Sequence, residues 1–139
     1  DAENEFNATY CPDFSELLAL SDVVSLHCPL TPATHHLIDR AALSQMKSTA
    51  VLINTARGPV VDESALIECL SRGGIFAAGL DVYEHEPKVP AELMALGNVV
   101  LAPHLGTATR NARDAMGMRV IANIEDFLST GSPGDQVTA

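Results

Sequence analysis

The sequence of 139 residues has no tryptophan, and its aromatic residues amount to only 4%. An apolar core must therefore be built from aliphatic side chains. Basic residues are scarce too, because 8 Lys and Arg stand against 18 Asp and Glu, for a net charge of −10. Since proteins hold polyanions through basic surfaces, this balance argues against nucleic acid and anionic membranes as partners.

Long hydrophobic runs, cysteine patterns and glycine-rich loops are also missing. No stretch approaches the roughly 18 consecutive apolar residues of a membrane span, and the opening residues DAENEF do not resemble a signal peptide. Cys11, Cys28 and Cys69 form neither a disulfide framework nor a CxxC pair. Reduced thiols in a cytoplasmic protein are expected, in preference to a redox role. The phosphate-binding pattern G-x-G-x-x-G does not occur.

What is present is the composition of one packed domain, with 47% hydrophobic and 19% charged residues. Short apolar runs alternate with capped amphipathic stretches, which predicts an α/β fold with a parallel sheet covered on both faces. Helices are predicted to begin at Asp13, Asp39 and Asp62, and a long C-terminal helix is predicted over about 109–128. The four predicted strands are 23–26, 50–53, 76–80 and 99–102.

Polar residues follow each predicted strand, and ligands of open parallel sheets bind at that carboxyl edge. The segments concerned are 27–29, 54–57, 81–82 and 103–104, with Glu86 in the loop between the last two. The sequence therefore predicts that a guanidinium, a carboxylate and an imidazole converge on one rim.

Each of these residues has a plain structural interpretation beside the chemical one. Arg57 offers a planar fork for a carboxylate, or forms a surface ion pair. His104 can move a proton near neutral pH, or is merely hydrogen-bonded. Asp81 can accept hydrogen bonds from a ligand, or caps the next turn. Glu84 or Glu86 can orient His104, or the loop is simply solvated.

A metal site is not predicted. His35 and His36 lie near His27 and Cys28 in the sequence, but adjacent histidines point to different sides of the backbone. No carboxylate or cysteine spacing completes a ligand set.

Three motifs, NTARGPVVDESAL, GLDVYEHEP and APHLGTAT, resemble those of the D-isomer-specific 2-hydroxyacid dehydrogenases. The resemblance covers about 13–128, and its wording is most similar to glyoxylate and hydroxypyruvate reductases. It implies a Rossmann-like, doubly wound parallel sheet that is incomplete here. Residues 1–105 would form the C-terminal part of a dinucleotide-binding domain, and the helix and tail over 106–139 would pack on a substrate domain.

The resemblance also implies roles for individual residues. Arg57, Glu86 and His104 would be catalytic, with Glu86 preferred to Glu84 because it precedes proline. The implied cofactor is NAD or NADP, and the expected substrate is a small 2-keto or 2-hydroxy acid. A homodimer is expected by the same analogy. The implied cofactor contacts are Cys28, Pro29, Thr34, Thr55, Ala56, Arg57, Asp81, His104, Leu105 and Gly106.

The sequence departs from the family pattern at its front. The first strand, the glycine-rich loop and the second strand would precede residue 1, and 7–10 resembles the third strand without a neighbour to pair with. The strand over 23–26 would then have a bare edge, and the apolar face of the last helix would be exposed. Such a piece alone should be inactive. The alternative is a non-catalytic fragment or binding module on the same scaffold, which the intact Arg57, Glu86 and His104 argue against.

Overall fold

The computed structural model describes residues 2–137. The chain divides into two compact units, the first ending at Pro103 and the second beginning at His104. Most of their elements are those that the sequence pattern indicates, but the short helices at Ala2–Phe6 and Ala91–Met94 were not predicted.

The first unit is organised around a sheet of four parallel strands whose order in space follows their order in the chain. The strands are β1 (Val23–Leu26), β2 (Val51–Asn54), β3 (Ala77–Leu80) and β4 (Val99–Leu101). In the register, Val51 of β2 lies beside Val23 and Ala77. The four predicted strands are confirmed. Among the described strands β1 pairs only with β2, so the predicted bare edge is present as well.

The described part of the first unit also contains five α-helices: α1 (Ala2–Phe6), α2 (Phe14–Leu20), α3 (Arg40–Gln45), α4 (Glu63–Ser71) and α5 (Ala91–Met94). The carboxylates of Asp13, Asp39 and Asp62 cap α2, α3 and α4, each accepting a backbone N–H three residues on. Such a bond satisfies one of the N–H groups that a helix start leaves unpaired. The three predicted helix starts are therefore confirmed.

One face of the sheet forms the core. In β2 and β3 the buried residues alternate with half-buried ones, and in β1 they alternate with exposed ones. The residues that fill this aliphatic core include Leu18, Ile38, Leu43, Leu52, Leu66, Ile75 and Leu93. The opposite face is less covered than strands apolar on both sides predict. Crossovers of one hand between strands in sequential order place their helices on the same face, which explains this difference.

The segment 7–10, which resembles the family's third strand but lacks a neighbour to pair with, does not form a strand in this structure. Asn7 lies in a turn and 8–10 are irregular. The N–H of Ala8 donates to the Glu3 carbonyl at 2.8 Å, and that of Tyr10 donates to the Glu3 carboxylate at 2.7 Å. Because Glu3 takes these donors, they are not used in a strand ladder.

The second unit consists mainly of the predicted long helix, α6 (Arg110–Thr130). Thr109 caps its first turn, and Gly131 ends it in the left-handed conformation with a φ of 80°. A turn follows at Gly134 and Asp135. The stripe of Met116, Val120, Ile124 and Leu128 is exposed, as expected, and no residue of this described helix is buried.

Two further expectations concern the whole described range. Within residues 2–137 all three cysteines carry free thiols. No helix in the same range is both long and apolar enough to cross a membrane.

Candidate functional site

A cleft of about 520 Å³ opens between the loops that follow β1 and β2. It lies at the carboxyl edge of the sheet, where ligands of this architecture bind. The residues that line it are His27, Cys28, Pro29, Leu30, Thr55, Ala56 and Arg57. The structure thus brings together five of the residues expected to contact cofactor, from two different loops.

Thr34 stabilises the loop that forms one side of this cleft. Its hydroxyl donates to the carbonyl of Pro29 at 2.7 Å and also receives the N–H of Thr31 at 2.8 Å. Thr34 does not line the cleft itself. In this structure it fixes the shape of the loop that carries Cys28 and Pro29.

Arg57 is exposed, and its backbone is held by a side chain that the sequence analysis left without a role. Asn54 is 1% exposed. Its Nδ2 donates to the Arg57 carbonyl at 3.0 Å, and its Oδ1 accepts the Ala56 N–H at 3.1 Å. The Arg57 guanidinium donates to the Ala56 carbonyl at 2.7 Å. A polar residue that ends an otherwise apolar strand is the sequence signal that marks Asn54.

The turn after Arg57 packs tightly against the segment that follows β3. A Cβ atom on Gly58 would overlap the carbonyl group of Tyr83 and come within 2.5 Å of the Glu84 nitrogen. Only glycine permits the two backbones to approach this closely. Gly58 therefore sets the distance between the loop of Arg57 and the loop of Glu86.

We expect Gly58→Ala to lower the free energy of unfolding by roughly 2–3 kcal/mol, since a methyl group forced into a packed site displaces backbone. Urea unfolding monitored by circular dichroism measures this change. Gly97→Ala is the matched control, because a Cβ at Gly97 meets no atom within 4 Å. Equal stability of the two variants would contradict the close packing at Gly58.

The loop after β3 separates its two glutamates into different surroundings. The Glu86 carboxylate is exposed and accepts the N–H of Tyr83 at 3.0 Å. The Glu84 carboxylate instead contacts His36, with 2.8 Å between Oε1 and Nε2, and reaches the N–H of Glu63 at 3.4 Å. Glu84 therefore ties the loop to the body of the unit, while Glu86 stays at the surface. Asp81, at the start of this loop, is buried.

Glu63 provides the second carboxylate that connects this loop to the start of α4. It is 8% exposed, and its Oε2 receives the N–H of Glu84 at 3.4 Å. Burial, and after it the negative charge of Glu84, raise the pKa of Glu63 above its ordinary value. A raised folded pKa means that the folded chain holds this proton more tightly than the unfolded chain does. The contribution of the protonated Glu63 to the free energy of unfolding is present at low pH and is lost as pH rises through the folded pKa.

We expect Glu63→Gln to raise the free energy of unfolding at pH 7, because the amide keeps an acceptor for Glu84 and removes a buried charge. The gain should disappear as pH falls below the unfolded pKa of glutamate, about 4.3. Urea unfolding at a series of pH values measures it. Glu92→Gln, an exposed glutamate in the first turn of α5, controls for loss of the helix-dipole interaction. A stability gain of the same size at every pH would contradict this account.

The remaining expected site residues, His104, Leu105 and Gly106, begin the second unit. His104 has a φ of 56°, in the left-handed region that non-glycine residues seldom occupy. Conformations of this kind cluster at functional sites. The carbonyl of Leu105 accepts the N–H of Ala108 at 2.9 Å just before α6.

The histidines considered as metal ligands are placed in other roles. His36 contacts Glu84 and stacks against His35 with 4.0 Å between ring centroids. His27 accepts or donates a hydrogen bond with the Ser25 hydroxyl at 2.8 Å. Among the residues that the structure describes, no group of three or more His, Cys, Asp or Glu side chains is placed to hold a metal ion.

Comparison with known proteins identifies one family. The model of the D-isomer specific 2-hydroxyacid dehydrogenase NAD-binding domain matches residues 1–106. The glyoxylate reductase of Thermococcus litoralis is 50% identical over 137 residues, which are 99% of this chain and 41% of that protein.

Solved structures agree in fold. The crystal structure of a glyoxylate reductase from Paecilomyes thermophila superposes with a TM-score of 0.91 at 40% identity, covering 99% of this chain and 42% of that one. An NADPH-dependent glyoxylate/hydroxypyruvate reductase from Sinorhizobium meliloti, in complex with NADP and malonate, gives 0.87 at 36% identity, covering 95% and 44%. The chain thus spans about two fifths of the length of these relatives.

Proposed function

Because the chain belongs to the D-isomer specific 2-hydroxyacid dehydrogenase family, we propose that it supplies catalytic and cofactor-contacting residues to an NAD(P)-dependent reductase. The substrate is a small 2-keto acid, with glyoxylate or hydroxypyruvate favoured, and the product is the D-2-hydroxy acid. The observation that carries the proposal is the cleft at the carboxyl edge of the sheet. Arg57 and Thr55 line it from the loop after β2, and Cys28 lines it from the loop after β1.

The residues of this cleft fit part of a dinucleotide. Its volume of about 520 Å³ lies within the range of small-molecule sites. Cys28, Pro29, Thr55 and Ala56 give it a mixed apolar and polar lining, which suits a nicotinamide riboside, and Thr34 holds the rim. We extend the contact set to Asp81 and to the backbone of 104–106 from the family motifs. When bound, the reduced nicotinamide supplies a hydride.

The chain's own residues would perform the remaining chemistry. Arg57 binds the substrate carboxylate through its planar fork and polarises the keto group. His104, in its charged form, donates a proton to the keto oxygen as the alcohol forms. The carboxylate of Glu86 favours that charged form. Groups that are already in place then stabilise the charge that develops in the transition state. Such electrostatic stabilisation is usually the largest single contribution to enzymatic rate enhancement.

The proposal extends to the organisation of the protein. Residues 1–105 are the C-terminal part of a dinucleotide-binding domain, and 106–139 pack through the exposed stripe of α6 on a substrate domain. The enzyme works as a homodimer in the cytoplasm. The proposed cofactor is NAD or NADP, and the assay below decides which.

The test begins with the intact mass of the native polypeptide, purified with whatever sequence accompanies this chain. Its turnover of glyoxylate and hydroxypyruvate is then measured with NADH and with NADPH. We expect a polypeptide well over twice this length that reduces at least one of the two acids. The 139-residue chain alone serves as the control and should show no turnover. A native polypeptide that binds neither cofactor would instead support a binding module.

A further inference from the structure

Tyr83 contacts Glu86, the glycine that follows Arg57, and Ala102, all within the first unit. It follows β3 by three residues and is 6% exposed, with its ring in the aliphatic core. Its backbone N–H, its backbone carbonyl and its side-chain hydroxyl each contact a different part of the chain. Tyr83 lies within the motif GLDVYEHEP, but the roles assigned above do not include it.

The backbone of Tyr83 serves the first two segments. Its N–H donates to Oε1 of Glu86 at 3.0 Å, which holds that carboxylate against the start of its own loop. Its carbonyl packs on Gly58, the residue after Arg57, with no room for a Cβ atom between them. The backbone position of this one residue therefore affects both loops.

The hydroxyl of Tyr83 serves the third segment. It lies 2.8 Å from the Ala102 carbonyl and 3.4 Å from the Leu80 carbonyl. A phenol has one proton, so the nearer carbonyl receives it. Ala102 follows the end of β4 and comes two residues before His104 in the chain. The hydroxyl thus fixes the Ala102 peptide.

The hydroxyl also remains a donor across the physiological range. Burial, and after it the negative charge of Asp81, raise the pKa of Tyr83 above that of a free phenol. Its bond to Ala102 is consequently not switched by pH.

We propose that Tyr83 is a positioning residue of the reductase, fixing the segments of Arg57 and Glu86 and the Ala102 peptide at one junction. This inference rests on the proposed function. A displacement of about 1 Å in a catalytic group costs on the order of a hundredfold in rate. Removing one of the three contacts of Tyr83 should lower the rate by less than a hundredfold, but measurably.

The experiment compares Tyr83→Phe with Tyr10→Phe in the native polypeptide. Phenylalanine keeps the ring of Tyr83 in the core and removes only the hydroxyl. Tyr10 is the second tyrosine of the chain and is 73% exposed, so its variant is the matched control. The measured quantities are kcat and KM for glyoxylate, cofactor Kd by fluorescence titration, and Tm. Rates are normalised to the concentration of cofactor sites, so that misfolded protein does not contribute.

For Tyr83→Phe we expect kcat to fall roughly tenfold, because the loosened Ala102 peptide displaces a catalytic group by less than the roughly 1 Å that costs on the order of a hundredfold. The cofactor Kd and the KM should stay within about twofold of the values for Tyr10→Phe. A purely structural role would lower Tm and the number of binding sites without changing kcat per site.

Other outcomes would overturn the inference in distinguishable ways. If kcat per site is equal in the two variants, Tyr83 does not position the catalytic groups, although the proposed function stands. If Tyr83→Phe no longer binds cofactor or fails to fold, the hydroxyl is required for the fold itself. If the wild-type protein has no turnover, the proposed function fails and this inference fails with it.

Discussion

His104→Ala is expected to abolish most turnover of the 2-keto acid while leaving cofactor affinity nearly unchanged. The imidazole is assigned to protonate the keto oxygen, and a positioned general acid contributes typically 10²–10⁴-fold to the rate. Without it, the alkoxide that hydride transfer creates must take its proton from water. A loss of at least about a hundredfold in kcat is therefore expected.

Steady-state kinetics and a fluorescence titration of NADPH or NADH on the same preparation separate the two effects. His35→Ala is the matched control, because His35 is an exposed histidine to which neither catalysis nor cofactor contact is assigned. It should retain the wild-type rate. If His104→Ala turns over at the wild-type rate, the histidine is not the acid. If it instead loses its cofactor affinity, its role is in binding.

Local signals in the sequence were sufficient for most of the fold. The carboxylates of Asp13, Asp39 and Asp62 each satisfy a backbone N–H within three residues, so a short stretch of sequence contains the whole interaction. The buried strands are recognisable for a similar reason, since a parallel sheet demands apolar residues along most of each strand. Parallel pairing then follows from the alternation with helices.

The sequence was less informative where an outcome depends on segments far apart in the chain. The 7–10 segment resembles a strand, but strand formation requires a neighbour, and Glu3 takes its N–H groups instead. Without the family resemblance, which prefers Glu86 because it precedes proline, the two glutamates of the EHEP loop look equivalent in sequence. Glu84 differs from Glu86 because His36, 48 residues away, contacts its carboxylate.

Asn54 illustrates an intermediate case. Its side-chain amide bonds to Ala56 and Arg57, both near it in the chain, so that information is local. Yet an asparagine at a strand end is equally compatible with a solvated turn. Its burial strengthens the two hydrogen bonds, and that burial follows from the packing of the whole sheet.

Arg57→Lys is expected to lower kcat/KM for glyoxylate by on the order of a hundredfold, although the positive charge is retained. A guanidinium presents two parallel N–H donors to a carboxylate, whereas an ammonium is a compact point charge. In this structure one arm of the guanidinium donates to the Ala56 carbonyl at 2.7 Å, which orients the fork from within its own turn. Lysine cannot form that bond and bind the substrate in the same plane.

The matched control is Arg72→Lys, an exposed arginine at the end of α4 that pairs with Glu68. It carries the same chemical change away from the cleft and should leave kcat/KM unchanged. Because Asn54 holds the Arg57 backbone and not its side chain, the substitution should not disturb the turn, and Tm should stay within a few degrees of wild type. If Arg57→Lys keeps kcat/KM within about threefold of Arg72→Lys, a point charge is sufficient at this position. The carboxylate of the substrate is then not held by a fork, and the role proposed for Arg57 is wrong.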